Sequence, residues 1–335
     1  MDASSPPVLR PLAVDSRDPS PAAAVRPAAY AGGAYYAEPG ALARYIEEEC
    51  LAKARDTGLP EGRPIALVAP HIDPWRGAVG YGHAYRALAS KLPSEVDTFV
   101  LFGTSHAPMR EPFALCRQSF ATPFGTLAAD LEAIDLLARR ADAFDPYADQ
   151  SNHRREHSLE FQAVFLKHVL RGRPFRIVPV LAGLGAAQMT GANPDSDEGV
   201  VRFLDAVREL AEQRPGRVVF VAGADLAHVG PRFGDPRPYD SDKRGWLQRK
   251  DLESLARAAA GDSAGFWAHV IFDLDERRVC GLAPIWSVLR CAPGPVQGKV
   301  LHYEQTVDAR DGSIVSHAAV LLTTQSNDGE KGAAA

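Results

Sequence analysis

The sequence predicts an α/β fold, a single domain with a mostly parallel central sheet flanked by helices. Two observations predict it. Short runs that are apolar at every position alternate along the chain with longer amphipathic runs, as buried parallel strands alternate with helices. No long linker and no internal repeat interrupts this alternation.

The elements follow in order. Residues 1–26 are rich in Pro, Ala and Ser and lack periodicity, so a disordered segment is expected there, ahead of an ordered domain over 27–324. Within that domain Ile65–Ala69, Thr98–Phe102, Phe175–Leu181 and Val218–Ala222 read as buried strands. Amphipathic spacing predicts helices over Gly82–Lys91, Leu127–Arg140, Leu159–Leu170 and Gly199–Gln213. Val300–Thr306 and Ile314–Thr323 flank the turn-rich Asp308–Gly312 and read as an antiparallel pair. Residues 325–335 read as a disordered tail.

Composition excludes several functions. A net charge of −5 without any basic run argues against a nucleic-acid binder. No stretch approaches the roughly 18–20 apolar residues of a membrane span, and no secretory signal opens the chain. Cys50, Cys116, Cys280 and Cys291 stand far apart without a CxxC pair, which fits a reducing compartment and a cytoplasmic protein. HExxH, GxSxG, Walker and dinucleotide-binding patterns are missing, so zincin, serine-hydrolase and nucleotide readings lack the residues that would carry them.

Three strands end in small-residue turns that carry histidine: Ala69-Pro70-His71-Ile72-Asp73, Gly103-Thr104-Ser105-His106, and Gly223-Ala224-Asp225-Leu226-Ala227-His228. Ligands of open α/β sheets bind outside the carboxyl ends of the strands, and neighbouring strands lie about 5 Å apart. Imidazoles in these turns are therefore candidates for one metal site. His157 and Glu160 of Glu156-His157-Ser158-Leu159-Glu160 share a helical face at a predicted helix start, with Ser158 as a candidate cap. Asp73 and Asp225 are candidate ligands, orienters of an imidazole, or turn formers. His153 precedes His157 in a polar loop. His83, His168, His269, His302 and His317 read as surface or satisfied core residues. Two histidines and a carboxylate suit non-haem iron, and three nitrogen ligands suit hydrolytic zinc.

Seven segments resemble, in order, the motifs of the Memo family (AmmeMemoRadiSam system protein B). They are Ala31–Tyr36, Ala69–His71, Gly103–His106, Glu156–Glu160, Ile177–Leu181, Ala224–Gly230 and Cys280-Gly281. The resemblance implies a fold similar to class III extradiol (LigB-like) dioxygenases, with His71 and His106 as metal ligands. It also implies a third ligand from a cysteine in an Asp-x-Cys-His motif, a position occupied here by Ala227. Asp225, His157, His228 or Cys280 is then left to complete the site, with Asp225 the chosen expectation and Asp73 a compensating carboxylate. His157 and His228 are expected as catalytic acid/base groups. The expected cofactor is a divalent metal, iron first, with copper or zinc as alternatives.

The resemblance implies a metal-dependent oxidoreductase related to the extradiol dioxygenases. The alternative is a non-catalytic scaffold on the same fold that binds metal, a peptide or a partner. A small molecule or peptide is expected in the pocket, and AMMECR-type and radical SAM proteins as partners. Tyr35, Tyr36, Trp75 and Tyr81 are candidates for an aromatic wall.

Overall fold

Residues 24–272 and 274–325 are described by the computed structural model of the chain. Strand β1 (Val25–Arg26) and helix α1 (Pro39–Tyr45) open it, followed by β2 (Pro64–Ala69), α2 (Pro74–Lys91) and β3 (Thr98–Thr104). The short strand β4 (Phe113–Leu115) and the hairpin of β5 (Ser119–Thr122) and β6 (Gly125–Ala129) lead to α3 (Leu131–Arg140). Then come α4 (His157–Val169), β7 (Arg176–Ala182), α5 (Gly185–Thr190), α6 (Glu198–Gln213), β8 (Val218–Gly223) and β9 (Asp225–Val229). Helices α7 (Ser241–Ala259), α8 (Ser263–Ile271) and α9 (Leu282–Cys291) precede the closing hairpin β10 (Val296–Val307) and β11 (Ile314–Thr324).

One sheet of 11 strands runs β1-β5-β6-β7-β3-β8-β2-β11-β10, with β4 added on β7 and β9 on β11. Its centre, β7-β3-β8-β2, is parallel throughout, and β6 also runs parallel to β7. The apolar runs form these strands because both faces are covered. Alternate side chains enter two cores: Val100, Phe102, Phe220 and Ala222 pack with Phe203 and Trp286 on one face. Phe99, Leu101, Val219 and Val221 pack with Tyr81, Tyr85, Phe161 and Phe165 on the other.

The expected helix over Leu127–Arg140 begins later than its periodicity suggests. Gly125–Ala129 is strand, because Ala128 and Ala129 pair with Arg176 and Ile177. Asp130 then caps α3 by accepting from the Ala133 N–H. Helix α2 begins eight residues before its expected start, with Pro74 in its first turn. At the other end of the chain, Val25 and Arg26 pair with β5, and Arg26 is fully buried. These two residues therefore belong to the sheet rather than to the N-terminal segment. The rest of that segment up to residue 23, and the tail beyond 325, lie outside the described residues. No helix among the described residues is long and apolar enough to cross a membrane.

Strand β8 lies between β2 and β3, so the turns after all three strands open on the same edge. The first turn of α4 sits directly on that edge. Glycine is required for this approach at two strand ends. A methyl group on Gly103 would collide with Ser158 Oγ, and one on Gly223 with the Ser158 carbonyl oxygen.

Candidate metal centre

His71 leaves β2 as a buried residue held at two points. Its backbone N–H donates to Asp225 Oδ1 at 2.8 Å, and its Nδ1 lies 2.9 Å from the Gly223 carbonyl oxygen. A carbonyl can only accept, so Nδ1 carries the proton and the Nε2 lone pair is free. Nε2 lies 3.2 Å from Cys280 Sγ. His106, two residues beyond β3, is held in the same way by Glu156. Its N–H donates to Oε2 at 2.8 Å, and its Nδ1 lies 3.0 Å from Oε1. In the neutral ring this makes Nε2 the lone-pair nitrogen. The two rings meet edge-on with centroids 5.1 Å apart.

His157 completes a group of three rings, 5.4 Å from His71 and stacked 4.5 Å from His106. Tyr30 and Phe161 close around it, each with its ring centroid 5.4 Å away. The cap of α4 is Glu156, which accepts from the Ser158 N–H. Ser158 Oγ, the expected cap, instead donates to the Thr104 carbonyl oxygen. Glu156 is pulled in by Arg26, which donates to its carbonyl oxygen and pairs at 2.6 Å with buried Glu160. Glu160, expected to share a face with His157, faces the N-terminal loop and accepts from the Ala29 and Tyr30 N–H groups.

Two groups of donor atoms lie within 4.8 Å of one another among the described residues: His71, His106 and Cys280, and His106, Glu156 and His157. Glu156 in the second group already accepts from the backbone of His106 and Ser158 and from the His106 ring. In the first group Cys280 Sγ engages His71 Nε2 at 3.2 Å and lies 3.9 Å from the Asp225 carbonyl oxygen, and among the described residues neither imidazole Nε2 is hydrogen-bonded to a carboxylate or carbonyl oxygen. Asp225, expected as a ligand, is placed beside His71 with Oδ2 3.7 Å from Nε2, and it is absent from both groups. His228 is also outside them, with Nδ1 against the Leu226 carbonyl oxygen and its ring on Phe233. Ala227 packs with Val229, Leu247 and Ile314. Asp73 caps α2 and pairs with Arg76.

Electrostatics separates the imidazoles. Burial lowers His71, with Asp225 opposing and His106 reinforcing. Burial and then the charges of His71 and His106 lower His157 to about 3, against the pull of Glu156. Burial lowers His228 to about 4, with Asp225 opposing. His106 is the exception. Burial works against its charged form, but the hydrogen bond and charge of Glu156 prevail and raise it. Burial drives the Cys280 thiol well above its ordinary value, and Asp225 adds to the rise.

The remaining candidates are structural. His153 is buried against the Ala114 carbonyl oxygen. His168 pairs with Glu47, His269 with Glu253 and His302 with Glu304, while His83 stacks on His302 and His317 contacts Thr306. Tyr81 stacks in the core on Phe165, and Tyr35 donates to Glu160. Tyr36 and Trp75 form a partly exposed aromatic group with Tyr45.

The chain matches the family described as Memo-like protein over residues 26–321. Among curated proteins it is 27% identical to a MEMO1 family protein of Aquifex aeolicus, over 89% of this chain and 72% of that one. It is 30% identical to one of Thermus thermophilus, over 76% and 71%, and 27% identical to one of Methanosarcina acetivorans, over 83% and 92%.

Proposed function

We propose, from the premise that the chain belongs to the Memo-like protein family, that His71, His106 and Cys280 hold one redox-active divalent metal ion, iron or copper, in an oxidoreductase. The observation that carries this is the set of three donor atoms, from His71, His106 and Cys280, that lie within 4.8 Å of one another. The donor set fits such an ion. Each imidazole has its other nitrogen hydrogen-bonded to a carbonyl or carboxylate oxygen, the usual support of a metal-bound histidine. Cys280 is a thiol that burial and the neighbouring Asp225 charge hold well above its ordinary pKa, and a nearby cation would make its thiolate favourable there. Two nitrogens and a sulfur suit copper, iron or zinc. When bound, iron or copper supplies one-electron redox chemistry to an organic ligand.

The chain's own residues supply the rest. Glu156 fixes the His106 ring, and Asp225 with the Gly223 carbonyl fixes His71. His157, kept neutral by burial, is placed to accept a hydrogen bond from a ligand hydroxyl beside the three rings, and Tyr30 and Phe161 limit its access to water. His228, neutral for the same reason, serves as a second hydrogen-bond acceptor.

Titrating metal-free protein with copper(II) or cobalt(II) tests the ligand set. A thiolate-to-metal charge-transfer band is expected in the wild type and its loss in Cys280→Ser. An equal band in the variant, or none in the wild type, contradicts the assignment.

A further inference from the structure

A cleft of about 800 Å³ opens beside the candidate centre and shares one residue with it. Its walls are Thr104 at the end of β3, Ser105 and Ala107 to Pro112 beyond it, and the stretch from Ala182 through α5 to the start of α6, and Cys280 lies among its lining residues. That volume is within the range of small-molecule sites, about 300–1,000 Å³. Much of the lining is apolar or small, including Met109, Leu184, Ala187, Met189, Val200 and Ala283.

The charged side chains of the lining decide what it accepts. Arg110 commits its Nε to Asp149 Oδ1 at 3.2 Å and its Nη2 to the Ala148 carbonyl oxygen. Asp197 caps α6, accepting from the Gly199 and Val200 N–H groups. Glu111 is half-buried, lines the cleft and has no cationic partner among the described residues. An anion entering this space would meet an unbalanced carboxylate while the one guanidinium is already engaged.

We propose that this cleft is the organic-ligand subsite of the metal centre and takes a small, largely apolar molecule without negative charge. The link to the centre rests on Cys280 acting as a ligand; the selectivity of the cleft does not.

The test uses the full chain, first without metal. The uncharged probe N-phenyl-1-naphthylamine is expected to bind saturably, one per chain. Its anionic counterpart 1-anilinonaphthalene-8-sulfonate is expected to bind about tenfold more weakly, with the gap narrowing in Glu111→Gln. Ala186→Trp, at an exposed wall position, and Ala187→Phe are each expected to weaken the neutral probe by about tenfold. In cobalt-loaded protein the bound probe is expected to change the cobalt absorption. Absence of saturable binding, equal binding of the two probes, or unchanged binding in both wall variants with native circular dichroism would overturn the proposed subsite. A cobalt spectrum indifferent to bound probe would overturn its link to the centre. Metal retention, measured separately, leaves the metal-free result standing on its own.

Discussion

Replacing Glu156 by Gln isolates what the carboxylate does for His106. The carboxylate of Glu156 is buried and accepts the His106 N–H at 2.8 Å, the His106 Nδ1–H at 3.0 Å and the Ser158 N–H at 2.9 Å. Burial disfavours its charge, yet the contacts with His106 and the charge of His157 hold its pKa below the usual range. Gln keeps the shape but turns one acceptor into an NH2 that must face an N–H donor. An unsatisfied buried donor costs about 1–3 kcal/mol, so the unfolding free energy should fall by that amount in denaturant titration. Loss of a carboxylate behind a metal-bound histidine lowers metal affinity about 10- to 100-fold, or about 1.4–2.7 kcal/mol. Competition with a chromophoric chelator measures it. Affinity within about twofold of wild type would refute the orienting role. Complete loss of binding, with Cys280→Ala still binding, would move the ion to His106, Glu156 and His157.

Arg26 and Glu160 form an ion pair whose side chains have 0% exposure. Arg26→Met should therefore cost about 3–5 kcal/mol, partly recovered in Arg26→Met/Glu160→Gln; a loss under about 1 kcal/mol would contradict a desolvated pair. In metal-free protein, His153 is held at about 4 by burial against an ordinary 6.5. The unfolded chain therefore takes up this proton first, and stability falls as pH drops from 6.5 towards 4, by up to about 3 kcal/mol for this group. His153→Gln should flatten that slope by about one proton, and an unchanged slope would contradict the burial.

The parallel centre of the sheet was legible because its strands are apolar at every position. The loops bearing His71 and His106 follow those strands, so their shared edge was legible too. What pairing alone decides was not. Ala128 and Ala129 look helical by periodicity, but hydrogen bonding to β7 makes them strand. Cys280 lies 209 residues from His71 in sequence, and nothing local separates it from an inert buried thiol. Asp225 stands close to a strand-end histidine in the sequence, but that its Oδ1 accepts the His71 N–H while its Oδ2 lies 3.7 Å from His71 Nε2 depends on how β9 seats beside β2. Glu156 was visible beside His157, but its grip on His106 depends on how α4 seats on β3.

Metal content decides between a metal centre and a bare scaffold. The protein, His71→Ala/His106→Ala and Cys280→Ala would each be purified anaerobically and analysed by mass spectrometry. About one equivalent of iron or copper per chain is expected in the wild type, with none in the double variant and a reduced amount in Cys280→Ala. No metal in the wild type even after reconstitution, or the same content in all three proteins, would contradict a centre built on these residues.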